Sequence, residues 1–412
     1  VVNYTTFEVF AMKLASGWST NPDPAKASDE AFEMILKKLG ALPHLMFIHS
    51  SSDYDNEALL ARLGYLAPGV PLQGGTSCMG VITEEGFHTG DGLGLGILGL
   101  FDPDGSYGVG IARQGGDPAK AAASALSQAL EQAGRPGELP AAIVMTSCPG
   151  HEEITISAIE AYLGATVPIL GGTSADNDMS GRWQQFCNNS VFHDGISIAV
   201  LFTSGDVSYS FHSGYEPTHH SGEATRVSGR ILHEINGMPA AAVYNEWTDG
   251  LIGETLRHGG SLVPATTFSP LGHPVGHVGG ISYYKLSYPV AVLPDKGLEL
   301  FAEIQQGGEV VLMKGTPDSL ASRAGRVVKA AIDAAPFTHD NTEGALVLFC
   351  AGCMLAVQDR MDQIVSGLKN ILKNKTFLCS FTLGEQGCFI GGENRHGNLM
   401  IATLLFGHIE AD

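Results

Sequence analysis

A short apolar run ending in Gly-Gly-Thr-Ser occurs twice, at Pro71–Ser77 and Pro168–Ser174, and this repetition constrains the fold more than any other feature of the chain. Two glycines after a short strand let the backbone take a positive φ or approach a neighbour closely, and the hydroxyls that follow can bond backbone or ligand. Sliding the chain on itself by 97 residues aligns 44–77 with 141–174 without a gap, and ten of the 34 positions coincide. Self-similarity of this kind marks a duplication.

The duplicate extends upstream. Residues 23–27 and 117–121 both read DPAKA. Each opens a predicted helix, with Asp as N-cap, Pro at the first helical position, and Gly40 or Gly134 just past the end. One unit is therefore helix, strand, loop, helix, strand, Gly-Gly-Thr-Ser and hairpin. A fainter third copy lies near the C-terminus, where Pro317 starts a helix, residues 345–353 make strand and loop, and Thr382 stands where Thr76 and Thr173 stood. The predicted fold is α/β, of mixed α+β type, with duplicated helix-strand-helix-strand-hairpin units forming two related domains with helix-covered sheets. The first domain spans residues 1–221, with repeats at about 1–104 and 105–210, and the second spans 222–412. Tyr4–Leu14 is expected as a first strand, 211–222 as a polar, His-rich linker, and 257–284 as a long Gly-, His- and Pro-rich loop.

A net charge of −20 with only 23 Lys and Arg residues argues against a nucleic-acid surface or an anionic membrane, because phosphate binding needs clustered cations. No apolar run reaches the roughly 18 residues of a membrane span, and no signal peptide is expected. Seven cysteines, an odd number without small-scaffold spacing, fit a reducing, cytoplasmic compartment.

The predicted strand-end loops carry the candidate chemistry. They are Ser50-Ser51-Ser52 in the first copy, Ser147 to His151 in the second, and Cys350 to Cys353 in the third. Cys350 and Cys353 have the C-x-x-C spacing of redox pairs, and a buried strand Cys followed by a loop Cys explains them equally. A zinc site would need Cys379 and Cys388 as well, at a spacing too loose for a structural zinc, so no metal is expected. Cys148 and His151 could be nucleophile and base, or a turn Cys and a helix-opening His. Asp176 and Glu385 follow the repeated threonines and could bind a ligand amine or cap a turn.

Here the sequence resembles a known family. PILGGTSADN at residues 168–177, its partner at 71–79, GRILHEINGMPAAAVYNEW at 229–247 and FLCSFTLGEQG at 377–387 followed by His-Gly-Asn are similar to the FIST family, the F-box and intracellular signal transduction proteins. The resemblance covers nearly the whole chain, with a FIST N region of about 25–221 and a FIST C region from about 222. It implies a stand-alone sensory module that binds small ligands such as amino acids and acts on a downstream signalling protein. Some members resemble haem-dependent nitric oxide sensors, and others follow an F-box that this chain lacks. Family members usually read G-C-S-T-A-G-E at the first glycine motif, so Cys78-Met79-Gly80-Val81 drops an acidic residue. They also tend to carry Arg where Cys353 stands.

The expected site is one pocket where strand-end loops meet, with Ser50, Gly74, Gly75, Thr76, Ser147, Gly171, Gly172, Thr173, Ser174, Asp176, Cys350, Thr382 and Glu385 as ligand-binding residues. Its ligand is expected to be small and polar, with an amine or carboxylate. No cofactor is expected. Haem is the alternative, with His219, His220, His258, His273 and His277 as candidate axial ligands. The competing class is an enzyme using Cys148 or Cys350 as nucleophile, with His151 or a His from 257–277 as base.

Overall fold

Asp23, Asp117 and Thr316 each head a helix that a proline opens. Asp23 accepts from the Ala25 and Lys26 amides before Pro24–Leu39, Asp117 accepts from Lys120 N before Pro118–Gln132, and Thr316 forms a capping box with Ser319 before Pro317–Ala334. In the computed structural model, which describes residues 12–278, 281–389 and 391–409, these helices open three copies of one unit. Most of the expected strand Tyr4–Leu14 lies outside the described residues. The first described strand is Lys13–Ser19.

Each unit builds four strands of a sheet in the same order, an edge strand, the return strand, and two central parallel strands. These are Lys13–Ser19, Leu95–Phe101, Leu45–Ser50 and Leu72–Thr76 in the first unit. They are Ser106–Arg113, Gly195–Phe202, Ala142–Ser147 and Ile169–Thr173 in the second, and Asp206–His212, Ile401–Gly407, Thr342–Cys350 and Thr376–Thr382 in the third. The central pairs are in equivalent register, Ser50 opposite Thr76, Ser147 opposite Thr173, and Cys350 opposite Thr382. Asp206–His212 begins within the second predicted repeat, yet it pairs with Ile401–Gly407 and so belongs to the third sheet.

The hairpin after each Thr leaves its own unit. Gln185–Cys187 and Ser190–Phe192 of the second unit extend the first sheet, Glu385–Phe389 and Glu393–Gly397 of the third extend the second, and Val81–Thr83 and Gly86–His88 of the first extend the third. The exchange is cyclic, and it closes three sheets around one core to which Phe47, Leu98, Val144, Leu170, Leu348 and Phe381 all contribute. Helices cover the outer faces, as Ala31, Phe32 and Ile35 do over Met46 and Ile48 in the first unit.

A second body is inserted into the third unit, between Asp206–His212 and Pro317–Ala334. Its nine-stranded sheet runs Gly260–Ser261, Pro289–Val292, Leu298–Leu300, Ile231–Ile235, Glu216–Ser228, Glu309–Lys314, Leu271–Val278 and Ile281–Ser287, with Met238–Pro239 alongside Ile231–Ile235. Two expectations are corrected here. Residues 216–222 belong to the strand Glu216–Ser228 rather than a linker, because the backbone pairs antiparallel with Glu309–Lys314 and alternate side chains are half-buried. Half of the expected loop 257–284 is the hairpin Leu271–Val278 with Ile281–Ser287, whose alternation is blurred by glycine, proline and histidine.

Candidate functional site

The Gly-Gly-Thr strands meet at a hub. Ala175 N donates to Thr76 O at 3.0 Å, Leu383 N to Thr173 O at 3.0 Å, and Cys78 N to Phe381 O at 3.1 Å, so each unit bonds the next around a closed ring. The glycines serve this crowding. None of Gly74, Gly75, Gly171 or Gly172 has a positive φ. A Cβ on Gly75 would stand 2.6 Å from Thr146 Cγ2 and 2.7 Å from Gln184 O, and one on Gly172 would stand 2.8 Å from Thr382 Cβ. Close approach, not φ, makes glycine necessary.

The hydroxyls expected to face a ligand are consumed inside the protein. Ser50 Oγ donates to Asn56 Oδ1 at 2.7 Å, Thr76 Oγ1 accepts from Gln184 N at 2.9 Å, and Ser174 Oγ accepts from Gln185 Nε2 at 3.2 Å. Thr173 Oγ1 donates to Glu152 Oε1 at 2.8 Å, and Thr382 Oγ1 donates to Glu385 Oε1 at 2.9 Å. Ser147 Oγ is buried and unpartnered, but it lines none of the cavities described below. Thr76, Thr173 and Thr382 are committed to these internal bonds and line neither of the cavities described below, so the reading of them as ligand contacts is corrected.

The cavity opens one step beyond the hub. A space of about 280 Å³ is bounded by Cys78 of the first unit, Asp176 and Asn177 of the second, and Leu383 with Cys350, Ala351 and Gly352 of the third. The inserted body closes it with Val263, Pro264, Thr267, Tyr288 and Phe301. Of the residues singled out from sequence, Asp176 and Cys350 line this space. Its wall is mainly apolar, unlike the polar pocket expected from the strand-end loops. Asn177 is not free, because it ties the first and second units through Met79 N, Ser51 Oγ, Asp53 Oδ2 and Gly92 O.

Asp176 differs from its surroundings. It is buried, and its Oδ2 accepts from Gly181 N at 2.7 Å and Arg182 N at 2.8 Å. Its Oδ1 is buried without any partner. A carboxylate oxygen in that state calls for a donor.

A second, polar space of about 340 Å³ lies between the helix Glu152–Leu163, the inserted body and the hairpin strand Glu393–Gly397. Lys285, Arg395, Glu153, Glu160, Glu303 and His396 line it. Glu152, Glu153 and His396 bring ligand atoms within 4.8 Å of one another, a spacing that could hold a metal. Arg230 Nη2 stands there instead, donating to Glu152 Oε2 at 2.6 Å and Glu153 Oε2 at 2.5 Å. Burial opposes the charge on Glu153, and His396 and Arg230 outweigh it and hold its carboxyl down to about 2. Sequence reasoning missed this cluster, since Arg230 and His396 lie far along the chain from the two glutamates.

The proposed cysteine dyad does not assemble. Burial, with Glu152 and Asp194 nearby, pushes the Cys148 thiol up to about 12, and its Sγ donates to Gln114 Oε1 at 3.4 Å while His151 is exposed. Burial also pushes the Glu385 carboxyl well up, and Met400 N and Thr382 Oγ1 occupy it. None of the five candidate haem histidines lines the apolar cavity. His219 and His220 stack near Trp247, and His273 is bonded to Glu309 O at 3.0 Å.

Among known proteins, 81 residues of the chain are 31% identical to part of an uncharacterized protein of Methanocaldococcus jannaschii, covering 20% of this chain and 16% of that one. The chain thus spans about a sixth of that relative's length. A cyanuric acid hydrolase of A. caulinodans aligns over 97% of this chain and 100% of its own, at 10% identity and a TM-score of 0.39. PurLQS of Thermotoga maritima aligns over 96% and 72% at 12% identity, with a TM-score of 0.23. Among the described residues, no helix is long and apolar enough to cross a membrane. The family model of the FIST N domain matches residues 44–238, and that of the FIST C domain follows at 240–388. With both models matched in order over most of its length, the chain belongs to the FIST family, whose domains are associated with signal transduction and sensing.

Proposed function

We propose that this chain is a small-molecule sensor whose ligand occupies the 280 Å³ cavity, with an ammonium or N–H group on Asp176 Oδ1 and an apolar body against Tyr288, Phe301 and Leu383. The observation that carries this reading is Asp176, a carboxylate residue in a mainly apolar cavity lining whose Oδ1 is buried without a partner among the described residues. A carboxylate there favours a cationic or strongly donating group, and the low-dielectric surroundings strengthen that preference. The same wall offers no side-chain cation for a carboxylate, so an apolar amine fits better than a free zwitterionic amino acid. A ligand in this place touches both the three-unit body and the inserted body, which is the geometry a sensor needs to convert occupancy into a change in their packing.

The test is a thermal shift titration with 2-phenylethylamine against 2-phenylethanol, on the parent and on Asp176→Asn. Binding to the folded state alone raises Tm through RT ln(1 + [L]/Kd). The amine should stabilise the parent more than the alcohol does, and the preference should vanish in Asp176→Asn. An amine effect of equal size in both proteins, or none in the parent, refutes the assignment.

A further inference from the structure

The C-x-x-C pair is not used by the reading above. Cys350 ends the strand Thr342–Cys350 and lines the apolar cavity, while Cys353 lies one turn on and is fully buried. Cys350 is the N-cap of the short helix Ala351–Ala356 that contains Cys353, and each thiol acts on the ionisation of the other. Tyr215 Oη stands 3.4 Å from Cys353 Sγ.

Beside them is a cation without an ion-pair partner among the described residues. Arg323 is 0% exposed, its guanidinium lies 4.7 Å from the Phe349 ring centre and 5.8 Å from that of Tyr215, and its Nη1 donates to Ser213 O and Leu399 O at 2.8 Å. Its Nε and Nη2 are buried with no partner. An uncompensated buried charge is strongly unfavourable, so an anion is required nearby. The groups beside it that could supply one are Cys353, Tyr215, Cys350 and Glu385. Burial drives Tyr215, Cys350 and Glu385 toward their neutral forms. At Cys353 burial acts the same way, but the Cys350 thiol and Arg323 outweigh it and favour the thiolate. The two cysteines therefore sit together against a buried cation, with Cys350 at the edge of a cavity.

We propose that Cys350 and Cys353 are a reversible dithiol–disulfide couple, oxidised by a small hydroperoxide that enters through the apolar cavity. Cys350 sulfur attacks the terminal peroxide oxygen and the O–O bond breaks. The Cys350 thiol proton goes to the departing alkoxide, which leaves as an alcohol, and Cys350 becomes a sulfenic acid. Cys353 sulfur then attacks Cys350 sulfur, the S–S bond forms, and the departing hydroxide takes the Cys353 thiol proton and leaves as water. Two thiols and one hydroperoxide become one disulfide, one alcohol and one water. Size and chemistry select the oxidant, because a cavity of about 280 Å³ with an apolar wall and nearly buried sulfurs excludes a charged peptide disulfide. The cavity serves here only as a route of entry, so the inference stands or falls independently of whether Asp176 holds a ligand.

The experiment treats the reduced full chain with one equivalent of cumene hydroperoxide and follows intact mass, peptide mapping and cumyl alcohol. The expected result is loss of two hydrogens per chain, confined to the peptide holding Cys350 and Cys353, reversed by dithiothreitol and matched by one equivalent of alcohol. In Cys353→Ser, dimedone should trap Cys350 as a sulfenic acid. Oxidation spread over the other five cysteines, or peroxide consumption no faster than in the Cys350→Ser, Cys353→Ser double variant, would overturn the proposal. The mapping on the unmodified chain decides the matter even where a variant folds poorly.

Discussion

A methyl group at Gly172 tests the interlocking of the second and third units. The added Cβ would lie 2.8 Å from Thr382 Cβ, 3.1 Å from its Oγ1 and closer still to its Cγ2, across a junction of residues 210 positions apart in sequence. Ordinary carbon contacts begin near 3.5 Å, so the strands must separate to clear Thr382 Cβ, and Thr382 must also rotate if the contact with its Cγ2 is relieved by the side chain. Separation costs about 1–3 kcal/mol as overpacking. Rotation breaks the 2.9 Å bond from Thr382 Oγ1 to the buried Glu385, at roughly 1–3 kcal/mol. Gly172→Ala should therefore destabilise by about 3 kcal/mol. Thr382→Ser removes Cγ2 and keeps the hydroxyl, at about 1 kcal/mol for the lost methyl. In that background Gly172→Ala should cost at least about 1 kcal/mol less, well above the 0.3–0.5 kcal/mol to which independent sites add. Urea unfolding followed by far-UV circular dichroism and tryptophan fluorescence measures the cycle. Gly74→Ala is the control, since its Cβ would strike Ile48 O, a backbone atom that no change at Thr382 can move. If Gly172→Ala costs the same in both backgrounds, the junction is not packed as described.

Two further outcomes concern charge. Arg230→Met removes the guanidinium from the buried Glu152 and the half-buried Glu153, and should cost on the order of 3 kcal/mol at pH 7. In the parent, Glu153 titrates near 2, so its stabilisation is present above the unfolded value near 4.3 and fades as pH falls through 2. In the variant His396 stays beside both carboxyls but the guanidinium is gone, so both rise relative to the parent, acid protonates the variant's folded state before the parent's, and the deficit should shrink toward pH 4; a deficit that is the same at pH 7 and pH 4 contradicts this. Burial also lowers His49 and His88 to about 4 and His273 to about 3. The unfolded chain then binds more protons than the folded one below about 6.5, and stability should fall steadily from there to pH 4, whereas a flat pH profile of unfolding free energy over that range would mean these rings are not held neutral.

What the sequence determined by itself was local. Asp23, Asp117 and Thr316 cap helices because a side chain and the amides two or three residues on settle that question between them. The apolar runs Leu45–Ser50 and Ala142–Ser147 are strands buried along their whole length, and the repeated Gly-Gly-Thr-Ser marked equivalent strand ends in two units, with Thr382 matching them in the third. Asp176 and Cys350 were legible as candidates from their places in those repeats. Tertiary structure decided the rest. Strands of three residues such as Gln185–Cys187 are too short to show a period, and nothing within them says that their partner is Leu72–Thr76, over a hundred residues upstream. The glycines could have been needed for positive φ or for close approach, and only the neighbour across the sheet distinguishes the two. The threonine hydroxyls could have faced a ligand, and folding turned them onto Gln184, Glu152 and Glu385. Tyr288 and Phe301 became cavity wall because an inserted body folds back over the hub. A side chain's role depends on what lies across from it, and for these residues that neighbour is supplied by distant parts of the chain.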